Sequence, residues 1–208
     1  MAPAKNGAAA RQAGGSGLFD RERSCLLVID VQQYFLDKLP LHERGPLVQR
    51  IAWLMRAARL LEVPIIATAE DIGRNGSLVP ELAAELPQGT PIFDKMIFGL
   101  MGQPDIRAAV EATRRDSFAL VGLETDVCIS QSAFGLAAAG YRAAIIDDAC
   151  HSPPPHHENG LRRLRESGEP GITATSVKGI YYEWVRDLDT LSRIRPQIND
   201  PLPPGLTL

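Results

Sequence analysis

The segment "SFALVGLETDVCISQSAFGLAAAG", residues 117–140, contains the transition that decides the fold. Its first part, "SFALVGL", is apolar and β-rich without clear polar alternation, which is typical of a strand covered on both faces. A helical pattern follows from about Asp126 to Ala139, and Gly140 is a suitable C-terminal stop. A buried strand that leads through a short polar turn into a helix predicts an α/β unit here.

Similar strand-like runs recur along the rest of the chain. They are "SCLLVID" (24–30), "VPIIATA" (63–69), "RAAIIDD" (142–148) and "GITATSV" (171–177), with "TPIFDK" (90–95) as a weaker candidate. Helical patterns lie between them, at 47–61, in "QPDIRAAVEA" (103–112) and at 155–167. Strands that alternate with helices predict a mostly parallel sheet with helices on both faces.

Composition favours one globular domain and excludes several classes of protein. The 208 residues have a net charge of −3, with 45% hydrophobic and 23% charged residues, which is not typical of disordered or polyanion-binding chains. Residues 1–17 are rich in Ala, Gly and Gln, so we expect a flexible tail there and a single domain at 18–208. Because no long apolar run and no signal-like start occurs, we predict a cytoplasmic protein without membrane or nucleic-acid partners.

Candidate functional residues follow the predicted strands, since ligands of parallel sheets bind beyond the carboxyl ends of the strands. In chain order they are Asp30, Glu70, Asp71, Lys95, Cys128, Asp147 and Asp148. The cysteines, Cys25, Cys128 and Cys150, form no CxxC pair, so each is treated as a free thiol.

The position of these residues alone leaves their roles open. Cys128 falls in the first turn of the predicted helix, where Thr125 or Asp126 can act as cap and the helix dipole favours a thiolate. It is either a nucleophile or a small buried hydrophobe. Asp30 is either a paired site carboxylate or a cap of the next helix, and Lys95 is either a site cation or a snorkelling surface lysine.

Three motifs taken together resemble the isochorismatase-like cysteine hydrolase superfamily, which includes nicotinamidases and N-carbamoylsarcosine amidohydrolases. They are "LLVIDVQQYFLD" with Asp30, "IFDKMIFGL" with Lys95, and "LVGLETDVCISQSAFGLAAAGYRAAIIDDAC" with Cys128, and the resemblance covers about residues 24–190. It implies a three-layer α/β fold whose six-stranded parallel sheet has the order 3-2-1-4-5-6. It also implies a catalytic triad of Asp30, Lys95 and Cys128.

The chemistry implied by the resemblance is hydrolysis of a C–N bond in a small amide or carbamoyl-type substrate. Asp30 takes the thiol proton, Lys95 holds the carboxylate, and the sulfur of Cys128 attacks the carbonyl carbon to give a thioester. The oxyanion donors implied by the family are the backbone N–H groups of Glu124 and Cys128, with a non-proline cis peptide between Leu123 and Glu124.

The resemblance also bears on the pocket, the cofactors and the assembly. Phe35 is either an aromatic pocket wall or part of the core, and Gln32 of the same motif is predicted to line the pocket. Metal-dependent nicotinamidases carry closely spaced histidines after the second strand, where this chain has "AEDIGRNGSL" (69–78), so we predict no metal and no cofactor. Relatives are commonly homo-oligomers, and we expect the same here, with a small-molecule substrate and a neighbouring subunit as a candidate contributor to the pocket.

Two other functions stay open. Isochorismatases proper cleave a vinyl ether and carry a small residue in place of the cysteine, yet they share a motif similar to "DVQQYF" (30–35). A regulatory member of the family that binds without turnover is the second alternative.

Two further segments are weighed separately. "CHSPPPHHENG" (150–160) holds His151, His156 and His157, which are either a metal cluster with Cys150 or, as we favour, a turn with exposed imidazoles. The aromatic residues of "VKGIYYEWVRDL" (177–188) are predicted to be core or subunit contacts.

Overall fold

One parallel sheet of six strands forms the centre of the computed structural model, which describes residues 17–198 and 201–208. The strands are β1 (Ser24–Ile29), β2 (Ile65–Glu70), β3 (Ile92–Lys95), β4 (Ser117–Leu123), β5 (Arg142–His151) and β6 (Ile172–Thr175). Their order is β3-β2-β1-β4-β5-β6 and all neighbours are parallel, which confirms the predicted sheet. The predicted tail, residues 1–17, lies outside the described residues except for Gly17.

Helices cover both faces of this sheet. They are α1 (Gln33–Leu36), α2 (Leu41–Leu60), α3 (Ile72–Asn75), α4 (Pro80–Ala83), α5 (Pro104–Ala112), α6 (Ser130–Ala138), α7 (His156–Glu166), α8 (Val177–Val185) and α9 (Leu188–Ile198). Helices α2, α8 and α9 share one apolar cluster with one face of the sheet, and α5, α6 and α7 share a second cluster with the other. Strand β1 shows the alternation, because Leu26 and Val28 enter the first cluster and Leu27 and Ile29 the second.

Helix α2 begins at Leu41, well before Leu47, where helical spacing predicted its start. Gly45 and Pro46 lie inside the helix, and the buried side chains begin only at Leu47. The first turns are polar or exposed and contain a proline, so they carry no apolar periodicity that would indicate a helix.

Gly122 allows the ends of β1 and β4 to approach closely beneath the functional edge of the sheet. It has a φ of +121°, and a Cβ atom built there would lie 2.0 Å from the carbonyl oxygen of Ile29. Only glycine fits this position. The residues that follow, Asp30 and Glu124, therefore stand at the point where the strand order reverses, between β1 and β4.

The C-terminal aromatic segment belongs to α8 and the start of α9. Tyr181 and Trp184 are fully buried, and the ring of Tyr181 packs edge-on against Trp53 of α2 with centroids 4.9 Å apart. The prediction of a core role is thus confirmed for these two residues. No helix within the described ranges has the length and apolar character needed to cross a bilayer.

Candidate active site

Three side chains from separate strand ends converge at the carboxyl edge of the sheet. Asp30 follows β1, Lys95 ends β3, and Cys128 lies just after β4. The Nζ atom of Lys95 is 2.9 Å from Oδ2 of Asp30 and 3.5 Å from Sγ of Cys128. Asp30 and Lys95 are 0% exposed and Cys128 is 4% exposed. The structure therefore brings the three predicted residues into contact in a buried position.

Asp30 is fixed by its backbone and by its neighbours. Its φ of +54° lies in the left-handed region that short polar residues tolerate, and its N–H donates to the carbonyl of Thr68 at 3.1 Å. The Thr68 hydroxyl donates to Oδ1 at 2.8 Å. The Asp30 carboxylate contacts Lys95 and Thr68 and does not cap α1.

The pKa of Asp30 is raised above the usual aspartate range. Burial is the largest cause, and the nearby ammonium of Lys95 opposes it without cancelling it. A carboxyl group whose pKa is shifted toward neutrality is suited to accept a proton and return it.

Lys95 remains a cation despite its burial. Burial lowers the pKa of Lys95, but attraction to Asp30 and Cys128 outweighs this effect, so the net shift is upward. Its ammonium also donates to the carbonyl of Ile97 at 3.3 Å. The alternative of a snorkelling surface lysine is therefore wrong.

Glu70 is a fourth group at the site, which the sequence placed on the rim without a role. Its Oε2 atom accepts a hydrogen bond from Sγ of Cys128 at 3.4 Å and lies 3.8 Å from Nζ of Lys95. Glu70 and Lys95 are direct partners in the register of β2 and β3. The sequence does carry a signal for the position of Glu70. Side chains alternate along a strand, so Glu70 projects from the same face of β2 as Thr68, which contacts Asp30.

The thiol of Cys128 is harder to ionise than an ordinary cysteine. Burial is the main cause of its raised pKa, and the negative charges of Asp30 and Glu70 add to it, while Lys95 opposes the shift. The prediction that this thiol ionises more easily at the helix start was wrong, because it left out the burial of the sulfur and the negative charges of Asp30 and Glu70. The raised pKa favours the protonated thiol at neutral pH, so a nucleophilic role for this sulfur would require a neighbouring group that takes the proton.

Cys128 lies in a π-helical turn, Thr125–Ile129, which leads into α6. A regular α-helical first turn capped by Thr125 or Asp126 was predicted, but the cap position is Glu124, whose side chain makes no cap bond. Wide turns of this kind often occur at functional sites. The hydroxyl of Ser130 donates to the carbonyl of Thr125 at 2.6 Å, which closes the turn from within.

The oxyanion donors implied by the resemblance lie on this same turn. The peptide bond between Leu123 and Glu124 is cis, as the resemblance implied, and the carbonyl of Glu124 accepts from the N–H of Ile129 at 3.1 Å. The Glu124 side chain bonds to Nζ of Lys38 at 3.3 Å. Stabilisation of an oxyanion by the N–H groups of Glu124 and Cys128 stays a prediction.

A family model, described as the isochorismatase domain, matches residues 24–176. The chain belongs to the isochorismatase family. It is 30% identical over 171 residues to the secreted isochorismatase effector Isc1 of Phytophthora sojae, covering 79% of this chain and 78% of that protein. It is 31% identical over 186 residues to isochorismatase domain-containing protein 2A of Mus musculus, covering 88% and 85%.

Solved structures share the fold of this isochorismatase-family chain at low sequence identity. A MAR1 ribonuclease from Caenorhabditis elegans matches with a TM-score of 0.78 and 24% identity, covering 92% of this chain and 98% of that one. The YcaC gene product of Escherichia coli, described as an octameric hydrolase of unknown specificity, matches with a TM-score of 0.75 and 21% identity, covering 89% and 95%. At these identities the likeness establishes the fold alone.

Asp30, Glu70 and Cys128 offer ligand-type atoms that all lie within 4.8 Å of one another, the one such group among the described residues. A cation already lies next to these three groups, because the ammonium of Lys95 contacts all of them. A tetrahedral metal ion would have to displace it. These residues therefore fit proton transfer better than metal binding.

Two histidines of "CHSPPPHHENG" lie beside the turn Thr125–Ile129, on the side of β5 and α7. His157 Nδ1 lies 2.9 Å from the hydroxyl of Thr125, and its ring stacks on His151 with centroids 4.7 Å apart. His151 in turn lies 2.9 Å from Oε2 of Glu43. The prediction of exposed imidazoles is therefore confirmed for His156 and wrong for His151 and His157, whose rings are half-buried.

The predicted pocket residues occupy different surroundings. Gln32 is fully buried, and its side chain accepts from the N–H of Glu70 at 2.7 Å and donates to the carbonyls of Glu70 at 2.8 Å and Gly76 at 2.6 Å. Phe35 packs in the core, with Nζ of Lys38 4.4 Å from its ring centroid. Gln32 thus holds the backbone that carries Glu70, and a contact of either residue with substrate stays a prediction.

An exposed apolar segment follows Lys95 at the rim of the site. Met96 is 67% exposed, and Ile97 and Phe98 are about half exposed. The Phe98 ring centroid lies 5.9 Å from Nζ of Lys95, so this surface adjoins the site directly. Contiguous exposed apolar side chains of this kind are typical of a surface that another molecule covers.

Proposed function

We propose that this isochorismatase-family chain is a cysteine hydrolase that cleaves the C–N bond of a small amide or carbamoyl-type substrate through a thioester, without a metal or cofactor. The observation that carries the proposal is the buried contact of the Lys95 ammonium with both Asp30 and Cys128. A thiol, a carboxyl group with a raised pKa and a fixed cation are the parts that acyl transfer to sulfur requires.

In the first half of the proposed reaction, Asp30 takes the thiol proton as Sγ of Cys128 attacks the carbonyl carbon. The resulting oxyanion is stabilised by the N–H groups of Glu124 and Cys128, and loss of one such donor costs on the order of 100-fold in rate. Asp30 then gives its proton to the leaving nitrogen, the C–N bond breaks, and a thioester remains. Lys95 keeps Asp30 in place and compensates its charge.

The charges around the thiol favour an uncharged substrate. They are the carboxylates of Asp30 and Glu70 and the ammonium group of Lys95. Carboxylates outnumber ammonium groups, so an anion such as isochorismate meets more repulsion than a neutral amide. The same balance disfavours a phosphate backbone, and we expect no nucleic-acid substrate despite the ribonuclease among the structural neighbours.

We further propose that the chain forms a homo-oligomer through the rim segment Met96–Phe98, so that a neighbouring subunit adjoins the pocket. The octameric state described for YcaC supports this proposal. Replacing Phe98 by Asp should shift the assembly to smaller species in sedimentation analysis. An unchanged mass would contradict an interface at this segment.

We propose the cytoplasm as the location, since Cys25, Cys128 and Cys150 are free thiols, which suits a reducing compartment. Cell fractionation tests this, and recovery from the medium, as the description of the Phytophthora relative suggests for that protein, would contradict it.

An ammonia-release screen over small amides, ureas and carbamoyl compounds tests the main proposal. The wild-type protein should release ammonia from at least one of them, and Cys128→Ala should release none. A vinyl-ether hydrolase of isochorismatase type would instead keep its activity in Cys128→Ala and lose it in Asp30→Asn. If the wild-type protein and Cys128→Ala both bind a compound of the screen and neither hydrolyses it, the regulatory alternative is favoured.

A further inference from the structure

Of the two carboxylates that lie beside the Lys95 ammonium, Glu70 is the one that solvent reaches. Its side chain is 20% exposed, whereas the Asp30 side chain is fully buried. Both oxygens of Asp30 already have neighbours, because Oδ1 accepts from Thr68 at 2.8 Å and Oδ2 lies 2.9 Å from Nζ of Lys95. Water that reaches the sulfur from solvent therefore meets Glu70 before it meets Asp30.

The backbone of Glu70 is held from two sides. Gln32, a fully buried amide, accepts from its N–H at 2.7 Å and donates to its carbonyl at 2.8 Å. The side-chain amide of Asn75 donates to the same carbonyl at 3.1 Å. Such fixation of a rim residue is expected where a side chain must be oriented for chemistry.

The distance of 3.4 Å from Oε2 of Glu70 to Sγ of Cys128 joins the carboxylate to the atom that carries the acyl group. A base for hydrolysis of the thioester has two tasks, since it must take a proton from the attacking water and return a proton to the departing sulfur. The base must reach both solvent and Sγ, and Glu70 does so.

We infer that Glu70 is a further catalytic residue, the general base that activates water against the Cys128 thioester; this inference rests on the proposed function. Glu70 takes one proton from the water molecule while the water oxygen bonds to the acyl carbon. The tetrahedral intermediate collapses, the C–S bond breaks, and the sulfur receives the proton from Glu70. One water is consumed, the free thiol is restored, and the product carboxylic acid ionises into solvent.

The test uses p-nitrophenyl acetate, which reports acylation of Cys128 by release of p-nitrophenolate and deacylation by the steady-state rate. In Glu70→Gln the acylation rate should stay within about threefold of wild type, while deacylation slows by about 100-fold, the usual scale for loss of a general base. The acetyl adduct on Cys128 should then accumulate in intact-mass spectra, and hydroxylamine should restore its cleavage. Glu70→Asp, which keeps a carboxylate, should recover part of the rate.

Asp71→Asn is the matched control, because it removes one carboxylate from the next residue of the chain and should leave both phases unchanged. Unfolding midpoints of all variants show whether the fold is kept. Equal deacylation in wild type and Glu70→Gln would overturn the role of Glu70 and leave the thioester mechanism intact. Equal slowing of both phases would also overturn it, since Glu70 would then act on the thiol. Failure of the wild-type protein to acetylate Cys128 would instead count against the proposed function.

Discussion

The ammonium of Lys95 lies 2.9 Å from the carboxylate of Asp30, although the two residues end strands that are separated by β2. The lysine side chain passes the end of β2 and so contacts Glu70 on its way to Asp30. One buried cation is therefore shared by two carboxylates and the thiol of Cys128. We therefore expect both the stability and the reactivity of the site to depend on this arrangement.

Replacing Lys95 by Met should destabilise the protein by about 3–5 kcal/mol at neutral pH, because it leaves the buried Asp30 without a counter-charge. The double variant Asp30→Asn/Lys95→Met should recover at least half of that loss, since no buried charge then remains at either position. Urea denaturation of the single and double variants measures both values. A double variant as unstable as Lys95→Met would show that the loss comes from packing.

The rate of acylation should rise with pH through the ionisation of Asp30. Only the ionised carboxylate accepts the thiol proton, and burial raises the pKa of Asp30, so activity should be lost on acidification at a pH above the usual aspartate range. The pH profile of kcat/KM with p-nitrophenyl acetate measures this limb. A limb at the pKa of an ordinary exposed aspartate would contradict the assigned role.

Alkylation of Cys128 by iodoacetamide should become faster, not slower, in Glu70→Gln. The negative charge of Glu70 contributes to the raised pKa of Cys128, so its removal increases the thiolate fraction at a given pH. Peptide mapping after timed labelling measures the rate. Cys25, whose pKa is raised to about 12 by burial, serves as internal control and should stay unreactive in both proteins.

Gln32→Leu should cost about 1–3 kcal/mol, because the N–H of Glu70 loses its acceptor while the carbonyl of Glu70 keeps its bond from Asn75. It should also slow deacylation, because Glu70 is no longer held. Gln33→Leu is the matched control, since within the described ranges the exposed Gln33 side chain bonds only to Asp37. Thermal unfolding and the acylation and deacylation rates are measured for both variants. Equal losses in Gln32→Leu and Gln33→Leu would contradict the role given to Gln32.

The sheet and the position of the site could be predicted because both follow from local sequence. Apolar runs mark the strands, and the motif residues Asp30, Lys95 and Cys128 stand at strand ends in the order that the family resemblance implies. Strand order itself came from that resemblance, since hydrophobic periodicity carries no information on which strands are neighbours.

The rest of the site depends on relations between distant parts of the chain. The contact of Glu70 with Cys128 requires the register of β2 against β3, and the role of Gln32 requires knowing that the chain folds back at Gly76. The pKa of Cys128 was predicted in the wrong direction for the same reason, because helix position is local, whereas the burial of the sulfur and the carboxylates of Asp30 and Glu70 depend on distant parts of the chain. Contacts and charge interactions between residues that are distant in the chain are visible only in the folded structure.

The most direct test of the central claim is peptide mapping by mass spectrometry of wild-type protein quenched in acid during turnover of p-nitrophenyl acetate. An acetyl group should be found on Cys128, and it should form far more slowly in Asp30→Asn. An acetyl group on another residue, or undiminished turnover by Cys128→Ala, would contradict the claim that this thiol is the nucleophile.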